Sequence, residues 1–194
     1  MTNTTVRIES IEIKNFKNVG YGHLDFENSK KSGSASILGL YGQNGSGKTA
    51  LIDALELLRL ALSGRAIPAY FADYINVDSE YATLKYGFKV NNQKANCIYS
   101  VFYEVSLRRD IDNTEHNTEQ LAVDEHYKAI LFNEVLSYSY ECGEKKVRLS
   151  PAINTSTAED VVFAPATKYR SIVGKDKESF TGLLVAKQLA SATS

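Results

Sequence analysis

The fold of this chain is decided by one stretch of eight residues, Gly42-Gln43-Asn44-Gly45-Ser46-Gly47-Lys48-Thr49. Its pattern, G-x-x-x-x-G-K-[ST], occurs by chance in a modest fraction of proteins, so its flanks must decide what it means. Before it, residues 37–41 (Ile-Leu-Gly-Leu-Tyr) form a short apolar run bounded by glycine, which is typical of a strand buried on both faces. After it, residues 49–63 place leucine and isoleucine at spacings of three and four, which predicts an amphipathic helix that Gly64 ends.

A strand, a glycine-rich loop and a helix in this order form a cradle for phosphate groups. The arrangement directs backbone N–H groups and the helix N-terminus at one place, which favours anions. Gly42, Gly45 and Gly47 let the backbone wrap closely around oxygens, because a Cβ there would clash or forbid the dihedral angles. We expect Lys48 to reach the β- and γ-phosphates and Thr49 to supply a hydroxyl to Mg²⁺. The alternative is a glycine-rich structural turn before a helix.

The N-terminal part of the chain is predicted to contribute two strands. Residues 6–16 alternate with period two, and the inner face shifts partway along. Gly20 and Gly22 predict a turn, after which residues 23–26 return as a short strand. These strands lead to the polar segment 28–34, which is typical of a solvated loop.

Beyond residue 81 the alternation predicts an antiparallel β lobe. Residues 81–107 form a hairpin with its turn at 91–94 (Asn-Asn-Gln-Lys), and 130–141 form another strand that turns at 143–145. The acidic segment 110–125 is interpreted as a solvated insertion, with a cation site as the alternative. Residues 150–175 are polar and irregular, and 177–190 are predicted to form a helix.

Length and composition indicate an ordinary globular domain. With 194 residues, 43% hydrophobic and 23% charged, the chain suits one domain with a real core. Its formal net charge of −1 gives no overall basic field for nucleic acid. No apolar run reaches the length of a membrane span, and Cys97 and Cys142 are expected to be free thiols in a cytoplasmic protein.

The combination resembles the N-terminal half of the ATP-binding-cassette (ABC) ATPases of the SMC, RecF and OLD-like group. The residues that carry the resemblance are Ile11-Glu12-Ile13-Lys14-Asn15-Phe16-Lys17-Asn18, then Leu40-Tyr41 with the glycine-rich stretch, then Leu51-Ile52-Asp53-Ala54-Leu55. The resemblance implies ATP and Mg²⁺ as cofactors. It also implies that Lys17 contacts phosphate or ribose and that Asn44 lines the γ-phosphate side of the loop. From the residues alone, Lys17 is a surface lysine after a strand.

Several elements of that family's pattern cannot be assigned in this sequence, and the catalytic residues are unknown. Residues 62–65 (Leu-Ser-Gly-Arg) look like a fragment of the family's signature, but at the end of the predicted helix we interpret them as a helix C-cap. Residues 130–134 mimic a Walker B strand with Asn133 in place of the magnesium-holding Asp, and we interpret them as a strand of the β lobe. If a catalytic carboxylate does lie within the chain, Glu134 is the first candidate.

The sequence therefore predicts an α/β fold of the P-loop NTPase class, with an ABC-ATPase-like mixed sheet, a flanking antiparallel β lobe and an incomplete site. Residues 1–194 form a single domain, with a phosphate-binding α/β segment at 1–66 and the β lobe at 81–149. The expected function is ATP binding, with hydrolysis once C-terminal elements or a dimer partner complete the site. The resemblance implies a homodimer with ATP sandwiched between heads, acting with DNA or an effector nuclease in DNA transactions or phage defence. The alternative is a nucleotide-sensing regulatory module that binds ATP without turnover.

Overall fold

The computed structural model describes residues 4–26, 39–63, 65–111 and 127–154. Several predicted features lie outside these residues: the loop at 28–34, most of the acidic segment, Gly64 and the C-terminal helix. Within the described part of the chain, no helix is both long and apolar enough to cross a membrane.

The described strands form one six-stranded sheet in which every pair of neighbours is antiparallel. In spatial order β2-β1-β3-β4-β5-β6, the strands are β1 (Thr4–Phe16), β2 (Val19–Asp25), β3 (Tyr81–Asn92), β4 (Cys97–Ile111), β5 (Tyr127–Cys142) and β6 (Lys145–Asn154). Because β1 pairs with β3, the sheet is continuous between the N-terminal segment and the β lobe.

The prediction of a mixed sheet is wrong for the described residues, because the segment before the glycine-rich stretch is not a strand. Residues 39–41 are irregular and lie outside the sheet, and the Tyr41 side chain is 95% exposed. A short apolar run is compatible with a buried strand, but only tertiary pairing makes it one. Here residues 39–41 pair with none of the six strands of the described sheet.

The β1–β2 hairpin turns two residues earlier than the glycines suggested. The turn lies at Lys17 and Asn18, and Gly20 and Gly22 fall inside β2, so their prediction as a turn is wrong. Asn15 and Lys17 both take a φ of 54°, so two non-glycine residues supply the left-handed backbone of the reversal. The sequence signal for a turn at Lys17 and Asn18 was weak, because the nearby glycines are more typical of a turn.

The predicted shift of the inner face of β1 is confirmed as a β-bulge. Ile8 pairs with Phe88 and Ser10 pairs with Gly87, which leaves Glu9 as the extra residue. An extra residue reverses the alternation of faces, so Ile8 and Ile11 both point to the same side.

Among the described residues, one α-helix and one short 3₁₀ helix cover one face of the sheet. Helix α1 (Lys48–Leu62) confirms the helix predicted at 49–63, and the 3₁₀ helix spans Ala69–Tyr74. The Tyr86 hydroxyl of β3 donates a hydrogen bond of 2.6 Å to the carbonyl of Ala54 in α1. The buried side chains that form this core come from both helices and the four central strands; the least exposed are Phe16, Ala54, Leu57, Phe71, Ala82, Leu84, Tyr86, Val105 and Leu107.

The prediction of two free thiols is wrong, because Cys97 and Cys142 form a disulfide. The two residues are 45 positions apart in sequence but lie opposite each other where β4 begins and β5 ends, with Cα atoms 4.3 Å apart. Residues this far apart in sequence give no local pattern that predicts a disulfide. The register of β4 and β5 brings the two sulfurs together.

The remaining strand predictions agree with the structure except at their ends. The β3–β4 turn spans residues 93–96 rather than 91–94, so β3 continues to Asn92. At its other end, β4 continues to Ile111, past the predicted end at 107. The turn after β5 lies at Gly143 and Glu144, inside the predicted 143–145. Strand β6 continues to Asn154, into a segment predicted to be irregular.

Candidate phosphate-binding site

The glycine-rich loop keeps a backbone that side chains would disturb at three positions. Gly45 and Gly47 both have φ of 85°, in the left-handed region that favours glycine. A Cβ on Gly47 would lie 2.8 Å from Val19 Cγ2, and a Cβ on Gly42 would lie 2.8 Å from Ser46 Oγ. The loop is therefore shaped by backbone conformation at Gly45, by close approach at Gly42, and by both at Gly47.

Helix α1 begins directly at the end of this loop with its N-terminus free of acidic side chains. Gly47 is its N-cap, no side chain caps it, and the first turn contains no Asp or Glu. The first N–H groups of a helix have no partner within the helix, and their partial positive charge attracts anions. This terminus is therefore suited to a phosphate group.

The half-buried Lys48 side chain places its ammonium group over the loop. It donates hydrogen bonds to the carbonyls of Gly42 (2.8 Å) and Gln43 (2.7 Å) and lies 3.3 Å from Ser46 Oγ. A positive charge is thus held among the loop atoms, next to the helix N-terminus. Thr49 follows in the first helical turn with an exposed side chain. Asn44 is also exposed, within the loop.

The β1–β2 turn contacts both the loop and α1. The Asn18 side-chain amide donates a hydrogen bond to the carbonyl of Gly45, and Val19 lies against Gly47. Lys17 forms a salt bridge with Asp53 of α1, and its ammonium group lies 4.0 Å from the centre of the Tyr74 ring.

The turn therefore brings Lys17 to the helix that carries the loop, but its predicted contact with phosphate or ribose stays a prediction. Sequence reasoning missed Asn18 as a residue that supports the loop. The only signal was its position directly after Lys17.

Two interpretations that rejected family motifs are confirmed. Helix α1 ends at Leu62, where the Ser63 N–H bonds to the carbonyl of Arg59 (3.1 Å) and Ser63 Oγ to the carbonyl of Leu60 (3.2 Å). The Leu-Ser-Gly-Arg segment therefore begins as a helix C-cap. Residues 130–134 lie within β5, between two antiparallel neighbours, as expected for a strand of the β lobe.

Glu134 is buried on the face of the sheet that α1 covers. Only 2% of the residue is exposed, and its Oε1 accepts a hydrogen bond from the Tyr103 hydroxyl. Burial raises the pKa of the Glu134 carboxyl to about 7, because a charge in an apolar interior loses its hydration, and the Tyr103 hydrogen bond lowers it only in part. Tyr103 stacks on Tyr86, whose hydroxyl reaches α1, with ring centres 6.5 Å apart.

Two stacked tyrosine rings thus lie between α1 and Glu134, with Tyr86 bonded to Ala54 and Tyr103 bonded to Glu134. Sequence reasoning singled out Glu134 because it follows an apolar run. Its tyrosine partner is 31 positions away, at a separation that no local pattern reveals.

A glycine-rich loop, a lysine held over it and a helix N-terminus without acidic side chains are the features of the P-loop class of nucleotide-binding loops. A family model for the AAA domain matches residues 10–161, and the chain belongs to this family. A comparison with curated proteins finds no match. AAA domains generally use ATP and Mg²⁺, and membership of the family indicates a nucleotide-binding protein of the ATPase type.

Proposed function

We propose that this chain binds Mg-ATP at the loop of residues 42–49, and that hydrolysis follows once further elements or a second copy complete the site. The observation that carries the proposal is the position of Lys48, whose ammonium group lies over the loop at a helix N-terminus without acidic side chains. Two independent sources of positive potential, one from a side chain and one from the backbone, therefore converge on one place.

The residues of the loop fit the triphosphate and the metal. Gly45 and Gly47 have no Cβ atom, so phosphate oxygens can approach the backbone closely there. Their left-handed φ angles are also ones that glycine adopts without strain. Lys48 would neutralise phosphate charge, and the Thr49 hydroxyl would be a ligand of Mg²⁺. When bound, Mg²⁺ would supply further charge neutralisation at the phosphates. Asn44 is proposed for the γ-phosphate side.

Lys17 is proposed as an additional contact to phosphate or ribose. Support comes from the β1–β2 turn, where the neighbouring Asn18 already bonds to Gly45 of the loop. Asp53 would keep Lys17 beside α1 in the absence of nucleotide, through the salt bridge between them.

The finer assignment to an SMC, RecF or OLD-like ATPase remains a proposal that rests on the sequence resemblance. Under this assignment, the protein is a cytoplasmic homodimer that binds ATP between its two heads. Its role is then with DNA or an effector nuclease, in DNA transactions or phage defence. Light scattering with and without Mg-ATP tests the dimer: nucleotide should double the apparent mass of the 21.5 kDa chain. A chain that binds ATP and stays monomeric would contradict the sandwich.

A second candidate function is nucleotide sensing without turnover. It is favoured by the position of Glu134, the candidate catalytic carboxylate, which is buried in the core and accepts a hydrogen bond from Tyr103. A release of phosphate from ATP by the purified chain, above the level of the Lys48→Ala variant, would exclude this candidate.

Thermal unfolding tests the binding proposal. A ligand that binds only the folded state at about 100 times its Kd adds about 2.7 kcal/mol, so saturating Mg-ATP should raise the Tm by roughly 5–10 °C in a chain of this size. We expect Lys48→Ala to abolish this shift and to leave the nucleotide-free Tm nearly unchanged, since the hydrogen bonds of the Lys48 ammonium group among the described residues go to atoms of the loop.

The matched control is Lys146→Ala, which removes an exposed lysine on β6. This variant should keep the full shift in Tm. If Lys48→Ala shifts as much as the wild type, the assignment of the loop to phosphate binding is wrong.

A further inference from the structure

A pocket of about 520 Å³ lies on the face of the sheet opposite α1. Its walls include Thr83 of β3 and Ser106 of β4, whose neighbours Leu84 and Val105 are buried in the core on the α1 side. Because side chains alternate between faces along a strand, the pocket and the phosphate-binding loop belong to different faces. The pocket has the volume of a small-molecule site.

A β-bulge in β5 forms one wall of this pocket. Ser106 pairs with Asn133 and Leu107 pairs with Leu131, which leaves Phe132 as the extra residue. A β-bulge changes the direction in which nearby side chains point, and bulges often lie beside functional sites. Here the bulge turns Phe132 outward, with 37% of the residue exposed.

Two aromatic rings and one guanidinium group lie together in the pocket. Tyr81 meets the Phe132 ring edge-on, with ring centres 6.0 Å apart, and the Arg108 guanidinium carbon lies 5.7 Å from the centre of the same ring. Arg108 forms no salt bridge with a carboxylate among the residues that the structure describes. Exposed aromatic rings beside an arginine without a carboxylate partner are suited to a planar ligand.

Asn133 brings an unsatisfied hydrogen-bond acceptor to the same wall. Its Oδ1 is buried and accepts no hydrogen bond within the described part of the chain. Leaving a buried polar atom without a partner is unfavourable, so a ligand that donates an N–H to this oxygen would be stabilised. Nearby, the hydroxyls of Thr83 and Ser106 bond to each other at 3.0 Å. The Asn133 oxygen has almost no accessible surface, so a ligand reaches it when the Asn133 side chain turns toward the pocket.

The charged groups of the lining are two carboxylates and one guanidinium group, and together they disfavour an anionic ligand most. Glu80 and Glu104 would repel an anion such as a phosphate, and Arg108 would repel a cation. A neutral, planar ligand that has both hydrogen-bond donors and acceptors can pair with the polar and charged side chains of the lining. Such a ligand can stack on the rings, donate to Asn133 and accept from Arg108.

We propose that this pocket binds an unpaired purine base, with guanine as the preferred one. Guanine offers N–H donors on one edge for Asn133 and a carboxylate, and it offers the O6 and N7 acceptors that arginine recognises through two hydrogen bonds. Its ring stacks on Phe132 and Tyr81, as bases do on aromatic side chains. The sugar and any phosphate point outward, away from Glu80 and Glu104.

Calorimetric titration tests the proposal in the Lys48→Ala background, where the phosphate-binding loop no longer contributes. The probes are guanosine, adenosine, GMP, a short oligothymidine strand and the same strand with one guanine. Guanosine should bind more tightly than adenosine. Arg108→Gln and Asn133→Leu should each weaken guanosine binding by about tenfold or more, because each removes a specific contact to the base.

Lys94→Gln is the matched control, since Lys94 is an exposed lysine in the β3–β4 turn and does not line the pocket. It should leave guanosine binding unchanged. 7-Deazaguanosine, which lacks the N7 acceptor, should bind more weakly to the unaltered pocket, and this comparison holds even if a variant fails to fold.

The probes also distinguish the source of the base. Tighter binding of the guanine-containing strand than of guanosine, with no binding of the plain strand, would assign the pocket to single-stranded nucleic acid. Equal binding of guanosine and GMP, without gain from the strand, would assign it to a free nucleoside or nucleotide. No binding of any guanine probe, or binding unchanged by both variants, would overturn the proposal.

Discussion

At the scale of single residues, Glu134 shows how far position in the fold governs chemistry. Its carboxyl lies in the core beside the Tyr103 hydroxyl, and burial raises the pKa to about 7. The sequence identified Glu134 as an acidic residue after an apolar run, in the place of a catalytic carboxylate. Its burial and its partner depend on the register of β4 and β5, which the sequence does not show.

The raised pKa of Glu134 predicts that stability depends on pH. In the unfolded chain the carboxyl ionises near 4.5, so between about pH 4.5 and 7 the folded state binds a proton that the unfolded state has lost. The free energy of unfolding should therefore fall as pH rises through this window, by roughly 3 kcal/mol, and then level off. Chemical unfolding measured at several pH values checks this expectation.

The Glu134→Gln variant is the control for this prediction. Glutamine keeps the acceptor for the Tyr103 hydroxyl but cannot ionise, so the decline in stability across the window should disappear. An unchanged decline in the variant would assign the pH dependence to other groups.

At the scale of elements, the sequence predicted the parts of the site that depend on local periodicity. The helix spacing gave α1 to within a residue, and the glycine pattern gave the loop before it. The strand expected before the loop is wrong at its described residues, because residues 39–41 are irregular and pair with no strand of the described sheet. The contact of the β1–β2 turn with the loop was likewise beyond local reasoning, although the resemblance already linked Lys17 to the nucleotide.

The packing of β2 against the loop predicts that Gly47→Ala is damaging. Alanine would have to adopt a φ of 85° and place its Cβ 2.8 Å from Val19 Cγ2. The left-handed conformation alone costs about 1–2 kcal/mol, so the Tm should fall by several degrees and the response to Mg-ATP should be weakened.

Gly20→Ala is the matched control for the loop variant. Gly20 lies in β2, and a Cβ there would meet no atom within 4 Å. Its Tm and its response to Mg-ATP should match those of the wild type. If the two variants lost the same amount of Tm and of response to Mg-ATP, glycine at position 47 would have no special role in the loop.

At the scale of the whole molecule, one sheet unites the N-terminal segment with the β lobe. The α/β class and the antiparallel hairpins followed from periodicity, whereas the strand order and the disulfide did not, because both depend on residues far apart in sequence. Composition suggested free thiols in Cys97 and Cys142, yet the register of β4 and β5 places them opposite each other.

The disulfide predicts a marked dependence of stability on reductant. It closes a loop of 45 residues, and the loss of chain entropy in the unfolded state corresponds to about 4 kcal/mol. Adding reductant should lower the free energy of unfolding by up to this amount, and chemical unfolding with and without reductant measures the difference. A variant with both Cys97→Ser and Cys142→Ser should be insensitive to reductant, and two reactive thiols in the untreated native protein would contradict the prediction.

The central claim is that residues 42–49 bind Mg-ATP, and equilibrium binding of ATP by calorimetry tests it most directly. The purified chain should bind ATP more tightly with Mg²⁺ than without it, and Lys48→Ala should abolish binding while Lys146→Ala preserves it. Absence of binding in the folded wild-type chain, or binding that Lys48→Ala leaves intact, would contradict the account.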